Sequence, residues 1–264
     1  MDDPTPTLAR PLGLVTGASS GIGRELAREL AERGYDLVVV AEDDAIHDVA
    51  RELDAITSAR AVQADLATTA GNEATLAALD ADPRRPAVAA INAGIGVGGP
   101  LVDTDLDAHL RLVALNVTST VHLGKELAER MVAEGDGRLL FTSSIASQMP
   151  GPLNTTYAAS KSFVQSFAEG LRQELADSGV TVTALMPGPT DTEFFDRAGL
   201  DGTHIDEGHK DSAEQVAREG VDAMLAGRDH VVPGTRMNAL QAALSALLPD
   251  SLTAKLHGKM NSPT

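Results

Sequence analysis

Residues 12–34 read LGLVTGASSGIGRELARELAERG, and this stretch decides the fold class. Leu12 to Thr16 is an apolar run of strand length, and from Gly23 onward Leu26, Ala27, Leu30 and Ala31 recur on one helical face. Between them lies a turn carrying Gly17, Gly21 and Gly23, with Ser19, Ser20 and Ile22 interleaved. Glycine allows positive φ and close backbone approach, while the N–H groups and dipole of a helix start attract negative charge. Strand, glycine turn and helix in that order make a seat for a pyrophosphate, as in a dinucleotide. The plain alternative is a tight strand-to-helix loop with no ligand.

The alternation continues along the chain. Strand-length apolar runs recur as YDLVVVA ending at Ala41, RAVQA ending at Ala64, AVAAI ending at Ile91, GRLLFTS, GVTVTALMP and HVVPG, with helical spacing between them. Such a repeat is the pattern of a parallel sheet covered on both faces, and short continuous apolar strands fit burial on both sides. The expected fold is α/β, a doubly wound parallel sheet of Rossmann type with helices on both faces, in a single domain. No internal repeat or linker marks a boundary. The expected organisation is a flexible segment over 1–10, the sheet domain over 11–235 with a lid at about 189–211, and an apolar tail over 236–264 packed on the domain or on a subunit.

The 264 residues, 43% of them hydrophobic, suffice for one large core. A formal charge of −17 argues against nucleic acid and anionic membrane as partners, because an acidic surface repels both. Cysteine is absent, which removes disulfides and thiolate metal sites. The opening MDDPTPTLARP lacks the basic and apolar regions of a signal peptide, and no run of about 18 apolar residues marks a membrane span. A cytoplasmic protein is the expectation.

A second glycine cluster, GIGVGG from Gly94 to Gly99, literally matches G-x-G-x-x-G. It follows the fourth strand and runs into Pro100, so it is read as a decoy rather than a pyrophosphate seat. Glu42, at the end of the second strand, stands where an acid accepts hydrogen bonds from the adenosine ribose hydroxyls. A 2′-phosphate there would meet Glu42, Asp43 and Asp44 with no basic residue adjacent in sequence, so NAD is expected, with NADP as the alternative should Arg24 reach the ribose. The acids also suit a solvated loop that caps the next helix.

Tyr157 and Lys161, in YAASK, stand one helical turn apart. A free phenol, with a pKa of about 10, is a poor base at neutral pH. An ammonium beside it, with the positive ring of an oxidised nicotinamide, favours the phenolate and lowers that pKa. A surface Tyr and Lys pair is the alternative. Ser144, ending RLLFTSS, falls at the sheet's carboxyl edge, where ligands of open parallel sheets bind and a serine can hydrogen-bond a carbonyl oxygen. Ser143 is its rival for that role.

Together TGASSGIG, the NAG of Asn92, Ala93 and Gly94, the LNV asparagine Asn116, Ser144, YAASK and PGPTDT from Pro187 to Thr192 resemble the short-chain dehydrogenase/reductase family in its simple one-domain form. The resemblance spans residues 11 to about 193. It implies a catalytic tetrad of Asn116, Ser144, Tyr157 and Lys161: Tyr157 as general acid/base, Lys161 lowering its pKa and binding the nicotinamide ribose, Ser144 holding the substrate oxygen, and Asn116 holding a relay water. It also implies adenine contacts from Asp65 and Leu66, support of the central strand by Asn92, and cofactor contacts from the stretch of Pro187, Gly188, Thr190 and Thr192. The acidic AEDDA resembles the NAD-using members.

The polar segment 196–211 is read as a substrate lid rather than a metal site, despite His204 and His209 among its acids. Phe194 and Phe195 either wall an apolar substrate pocket or anchor that loop. Met237, Leu240, Leu244, Leu247 and Leu248 form a helical stripe suited to core or subunit packing. The expected protein is an NAD-dependent oxidoreductase interconverting a small-molecule secondary alcohol and ketone, as a homodimer or homotetramer. The alternatives are an NADPH-dependent carbonyl reductase and a non-catalytic cofactor-binding regulator on the same fold.

Overall fold

The computed structural model describes residues 10–234 and 250–262; the expected flexible start, Arg10 apart, and the apolar stripe from Met237 to Leu248 lie outside them. The elements follow one another as β1 (Leu12–Thr16), α1 (Gly21–Glu32), β2 (Asp36–Ala41), α2 (Ile46–Leu53), β3 (Ala59–Gln63), α3 (Thr69–Asp80) and β4 (Pro86–Ile91). After α4 (Leu106–Val113) a π-helical turn, Ala114–Ser119, leads into α5 (Thr120–Glu134). Then come β5 (Gly137–Thr142), a short 3₁₀ turn (Ile145–Gln148), α6 (Thr155–Glu174) and β6 (Val180–Leu185). The segment after β6 carries β7 (Thr190–Asp191), α7 (Phe194–Arg197), α8 (His204–Glu207) and β8 (Asp211–Ser212). The chain continues through α9 (Ala213–Leu225) and β9 (His230–Val231), and the last described helix is α10 (Asp250–Met260).

Seven strands form one parallel sheet in the order β3-β2-β1-β4-β5-β6-β9. Each apolar run of the sequence supplies one of them. Because successive side chains of a strand point to opposite faces, each central strand feeds two cores. Leu14, Val38, Ala89 and Leu139 pack on one face beneath α3, α5 and α6, while Val15, Val39, Ala90 and Leu140 pack on the other beneath α1, α2 and α9. The stripe Leu26, Ala27, Leu30 and Ala31 on α1 is wholly buried in the second core. Each buried leucine contributes about 1.5–3 kcal/mol, so these runs specify both layers at once.

The chain moves outward from β1 through β2 to β3, then returns across β1 to β4. That reversal opens a crevice beyond the carboxyl ends of β1 and β4, the place where open α/β sheets receive ligands. Among the described residues, no helix is long and apolar enough to cross a membrane.

Candidate active site

All of the expected cofactor-binding residues, with Ser144, Tyr157 and Lys161, border one cleft of about 260 Å³ at this crevice. Gly17 and Gly21 take φ of 65° and 52° there, the left-handed region that glycine alone enters freely. A Cβ on Gly23 would stand 1.9 Å from the carbonyl oxygen of Gly17, so the turn closes only around a bare backbone. Ser20 precedes α1 without capping it by its side chain, and the first turn holds no acid. The opening N–H groups of α1 therefore face the cleft side of the turn without a side-chain acceptor, which suits a phosphate. Asn92 holds the neighbouring strands together: its Nδ2 donates to Thr16 O at 3.1 Å, and its Oδ1 accepts from Thr142 Oγ1 at 3.0 Å.

At the outer end of the cleft, Glu42 follows β2 directly and Asp65 follows β3. The expectation that no basic group stands beside Glu42 is corrected here. Arg111, on α4, pairs with Glu42 and, at 2.9 Å, with Asp65. The topology brings α4 over the ends of β2 and β3, a neighbourhood that sequence adjacency does not reveal. Arg24 is turned away, paired with Glu52 at 2.6 Å. Asp43 accepts from Ser19 Oγ at 2.8 Å and so ties the acidic loop to the glycine turn.

Tyr157 and Lys161 rise from the first turns of α6, with Nζ 5.6 Å from the phenol ring centre. Lys161 is buried and donates to Thr142 O at 2.7 Å. Burial lowers its pKa to about 8. The expected lowering of the phenol pKa is not what the protein groups alone produce: burial pushes Tyr157 up to about 12, against a smaller lowering by a hydrogen bond with Ser144. Desolvation of the phenolate outweighs an ammonium that already has a carbonyl partner. Ser144 accepts from Ala146 N at 3.1 Å and keeps its hydroxyl beside Tyr157, whereas Ser143 donates to Lys161 O at 3.0 Å within the core. Both serines border the cleft, but the Ser143 hydroxyl is committed to a main-chain carbonyl.

Asn116 is the exception. It is buried in the π-helical turn behind the cleft, with Oδ1 accepting from Ile95 N at 3.0 Å and Nδ2 donating to Ile95 O at 2.9 Å and Ser160 Oγ at 3.0 Å. A Cβ on Gly94 would lie 3.2 Å from its Oδ1 and 3.3 Å from Lys161 Nζ, so both side chains sit directly under that glycine. π-Helical turns inside α-helices recur at functional sites.

The remaining wall comes from the segment 189–205 and the chain's last described helix. Phe194 faces Tyr157 with ring centres 5.2 Å apart, while Phe195 is buried behind it with Ala198 and Leu200. Both phenylalanines border the cleft. The second glycine cluster is no phosphate loop, since no helix opens from it. Gly98 N donates to Ala198 O and Gly99 N to Leu153 O, both at 2.7 Å, so this strap joins the lid to the approach of α6. His257 and Met260 of α10 also border the cleft, and Asn261 Nδ2 donates to Pro152 O at 2.9 Å. Sequence reasoning missed His257, Met260, Asn154 and Arg111, none of which stands in a local motif. Among the described residues, no group of three acidic or histidine side chains is placed to hold a metal ion.

A family model described as short chain dehydrogenase matches residues 12–201. Sulfoacetaldehyde reductase 2 of Chromohalobacter salexigens is 31% identical, over 77% of this chain and 84% of its own. A short-chain dehydrogenase from Sphingobium yanoikuyae, solved in complex with NADPH, is 32% identical with a TM-score of 0.79, covering 90% of this chain and 94% of that one. The bulky-bulky ketone specific alcohol dehydrogenase from Comamonas testosteroni is 28% identical with a TM-score of 0.76, over 90% and 94%. Glycine cradle, Tyr and Lys pair and sheet order agree with these matches: the chain belongs to the short-chain dehydrogenase/reductase family and is an NAD(P)-dependent oxidoreductase.

Proposed function

We propose that the protein interconverts a secondary alcohol and a ketone with NAD(H), using Tyr157 as general acid/base. The observation that carries this reading is that Ser144, Tyr157 and Lys161 border the same cleft as the glycine cradle, with the Lys161 ammonium 5.6 Å from the phenol ring centre. When bound, the nicotinamide gives or takes the hydride, and its oxidised ring adds positive charge near the phenol. Ser144 holds the substrate oxygen, and Tyr157 delivers or accepts the proton at that oxygen. A phenol held at about 12 is protonated at neutral pH and can donate that proton in carbonyl reduction. Lys161, fixed by Thr142 O, binds the nicotinamide ribose and stabilises the phenolate. Asn116, under Gly94, supports a water of the proton relay.

Glu42 receives the adenosine ribose, and its carboxylate disfavours a 2′-phosphate. Arg111 favours a second reading, NADPH, because a guanidinium next to Glu42 can turn to a phosphate instead. Fluorescence titration with NADH and with NADPH separates the two: tighter NADH binding supports Glu42 as the selector, and tighter NADPH binding supports Arg111. Residues 189–211 serve as the substrate lid. The exposed Leu106, Leu110, Val121 and Phe163 on α4, α5 and α6 support assembly into a homodimer or homotetramer.

A further inference from the structure

The substrate end of the cleft is apolar, walled by Ile95, Met149, Phe194, Leu200, Ile205 and Met260. The charged groups on the cleft are spoken for. Glu42, Asp43 and Asp65 lie at the outer end, Lys161 is held by Thr142, and Arg197 is paired with Glu193 at 2.5 Å. Lys161 and the exposed, ion-paired Arg197 are the lysine and arginine that border the cleft, and the six wall residues themselves carry no charge.

Two neutral polar groups interrupt the apolar wall. Asn154 directly precedes α6, where its side chain would normally cap the helix, yet it makes no capping bond. It borders the cleft, is 5% exposed, and its Oδ1 has no hydrogen-bond partner. Buried polar atoms are almost always paired, and the exceptions gather at functional sites. Rotation about χ2 lets this carboxamide offer a ligand either an acceptor or a donor. Leu153 beside it is held at φ 63°, a strained region for leucine, so the loop keeps this arrangement against a local cost.

His257, from α10, is the second group. Its Nδ1 lies 3.0 Å from Pro150 O, and a carbonyl only accepts, so Nδ1 carries the hydrogen and the neutral ring has Nε2 as an acceptor. Burial holds its pKa below the ordinary histidine value, which keeps the ring neutral. Both residues flank Gly151, where a Cβ would stand 3.3 Å from the backbone carbonyl oxygen of Asn154 and 3.5 Å from His257 Cε1, and both border the cleft. Asn154 precedes Tyr157 by three residues, so this polar patch and the reacting phenol are about one helical turn apart.

We propose, resting on the oxidoreductase reading above, that the cleft takes a bulky, uncharged, largely apolar ketone or secondary alcohol bearing a hydroxyl remote from the reacting carbon, received by Asn154 and His257. A hydroxyl both donates and accepts, and so satisfies the carboxamide in either orientation together with the imidazole acceptor. The substrate's apolar frame fills the wall between that patch and Tyr157.

The test uses three probes on the full chain loaded with its nicotinamide cofactor: 2-decalone, a 2-decalone hydroxylated on the ring away from the ketone, and the same frame with a carboxylate there. Calorimetry reads binding, and cofactor absorbance reads turnover separately. The hydroxylated probe is expected to bind about tenfold tighter than 2-decalone, the effect of one good hydrogen bond, and the carboxylate weaker than either. Asn154→Ala and His257→Phe should each erase most of that tenfold gain. Asn154→Ser, which keeps a hydroxyl on a smaller side chain, should retain part of it. Equal binding of the first two probes, tighter binding of the carboxylate, or no binding of any decalone would overturn the inference, even if small ketones are reduced. The expected binding pattern without turnover of any ketone would instead overturn the oxidoreductase reading and leave the ligand class standing.

Discussion

Arg111 holds the carboxylate of Glu42 from 69 residues further along the chain. This ion pair lies where the proposed reading puts the cofactor's adenosine ribose, and on that reading it governs the choice between the two dinucleotides. Removing Arg111 with alanine leaves Glu42 and Asp65 unopposed. NADPH affinity should then fall by about tenfold or more, while NADH affinity changes little, because only the former carries a 2′-phosphate to repel. Glu42→Ala should act in the opposite sense and raise NADPH affinity by about tenfold. Fluorescence titration of both variants checks this pair, and equal losses for the two cofactors would contradict it. The stability of the fold should barely respond, since exposed ion pairs contribute about 0–1 kcal/mol.

The proton inventory of Tyr157 and Lys161 sets the pH dependence of reduction. Reduction needs the phenol protonated and the ammonium charged, and burial gives these groups pKa values of about 12 and about 8. The kcat/KM for ketone reduction should therefore be level below pH 8 and fall above it as Lys161 loses its proton, about tenfold per pH unit in the limit. Stability carries the matching sign. Burying the ammonium costs stability below pH 8, and that cost is relieved as the pH rises from about 8 toward the ordinary lysine value of 10.5. A rate profile that rises through pH 8 would contradict the assignment.

The glycine strap from Gly94 to Gly99 should be a determinant of substrate rather than cofactor affinity. A Cβ on Gly96 would stand 2.8 Å from both Ala198 Cβ and Phe194 Cζ, and one on Gly98 would stand 2.6 Å from Leu200 Cδ2. Gly96→Ala is expected to push α7 off the cleft and raise KM for ketones by about tenfold, with the NADH dissociation constant shifting by less than about threefold. Steady-state kinetics and a titration separate the two effects. A weakened cofactor with an unchanged KM would return the strap to the role of a phosphate loop.

Gly23→Ala tests the cradle as a folding element. The added Cβ meets the Gly17 carbonyl, a backbone atom that no rotamer change can move. Overpacking of this kind costs about 1–3 kcal/mol, and a Tm lower by several degrees together with loss of cofactor binding is expected. A variant with wild-type Tm and cofactor affinity would show that the turn has room that its geometry denies.

The sheet was legible because its strands are continuous apolar runs whose alternate residues feed two cores, a pattern carried by local sequence alone. The glycine turn and the Tyr157, Lys161 and Ser144 set were legible for a related reason. Their chemistry depends on short spacings within one turn or at one strand end. Arg111 and His257 were not, because each meets a partner far off in sequence, and Asn154 was not because nothing local marks it. His257 reaches Pro150 across 107 residues, and Asn154 is noticeable only once its carboxamide is seen to lack a partner. The upward push that the protein groups alone exert on the Tyr157 phenol was not legible in the sequence, for a physical reason. Proximity to Lys161 is visible in the spacing, but the burial that outweighs it is a property of the assembled cleft.

Tyr157→Phe tests the central claim most directly, since it removes one oxygen and keeps the ring against Phe194. Turnover of any ketone that the wild type reduces should fall by at least about a thousandfold, within the range known for a general acid/base, while NADH titrates as before. Turnover within tenfold of the wild type, with the cofactor still bound, would contradict Tyr157 as the proton donor and with it the proposed reaction.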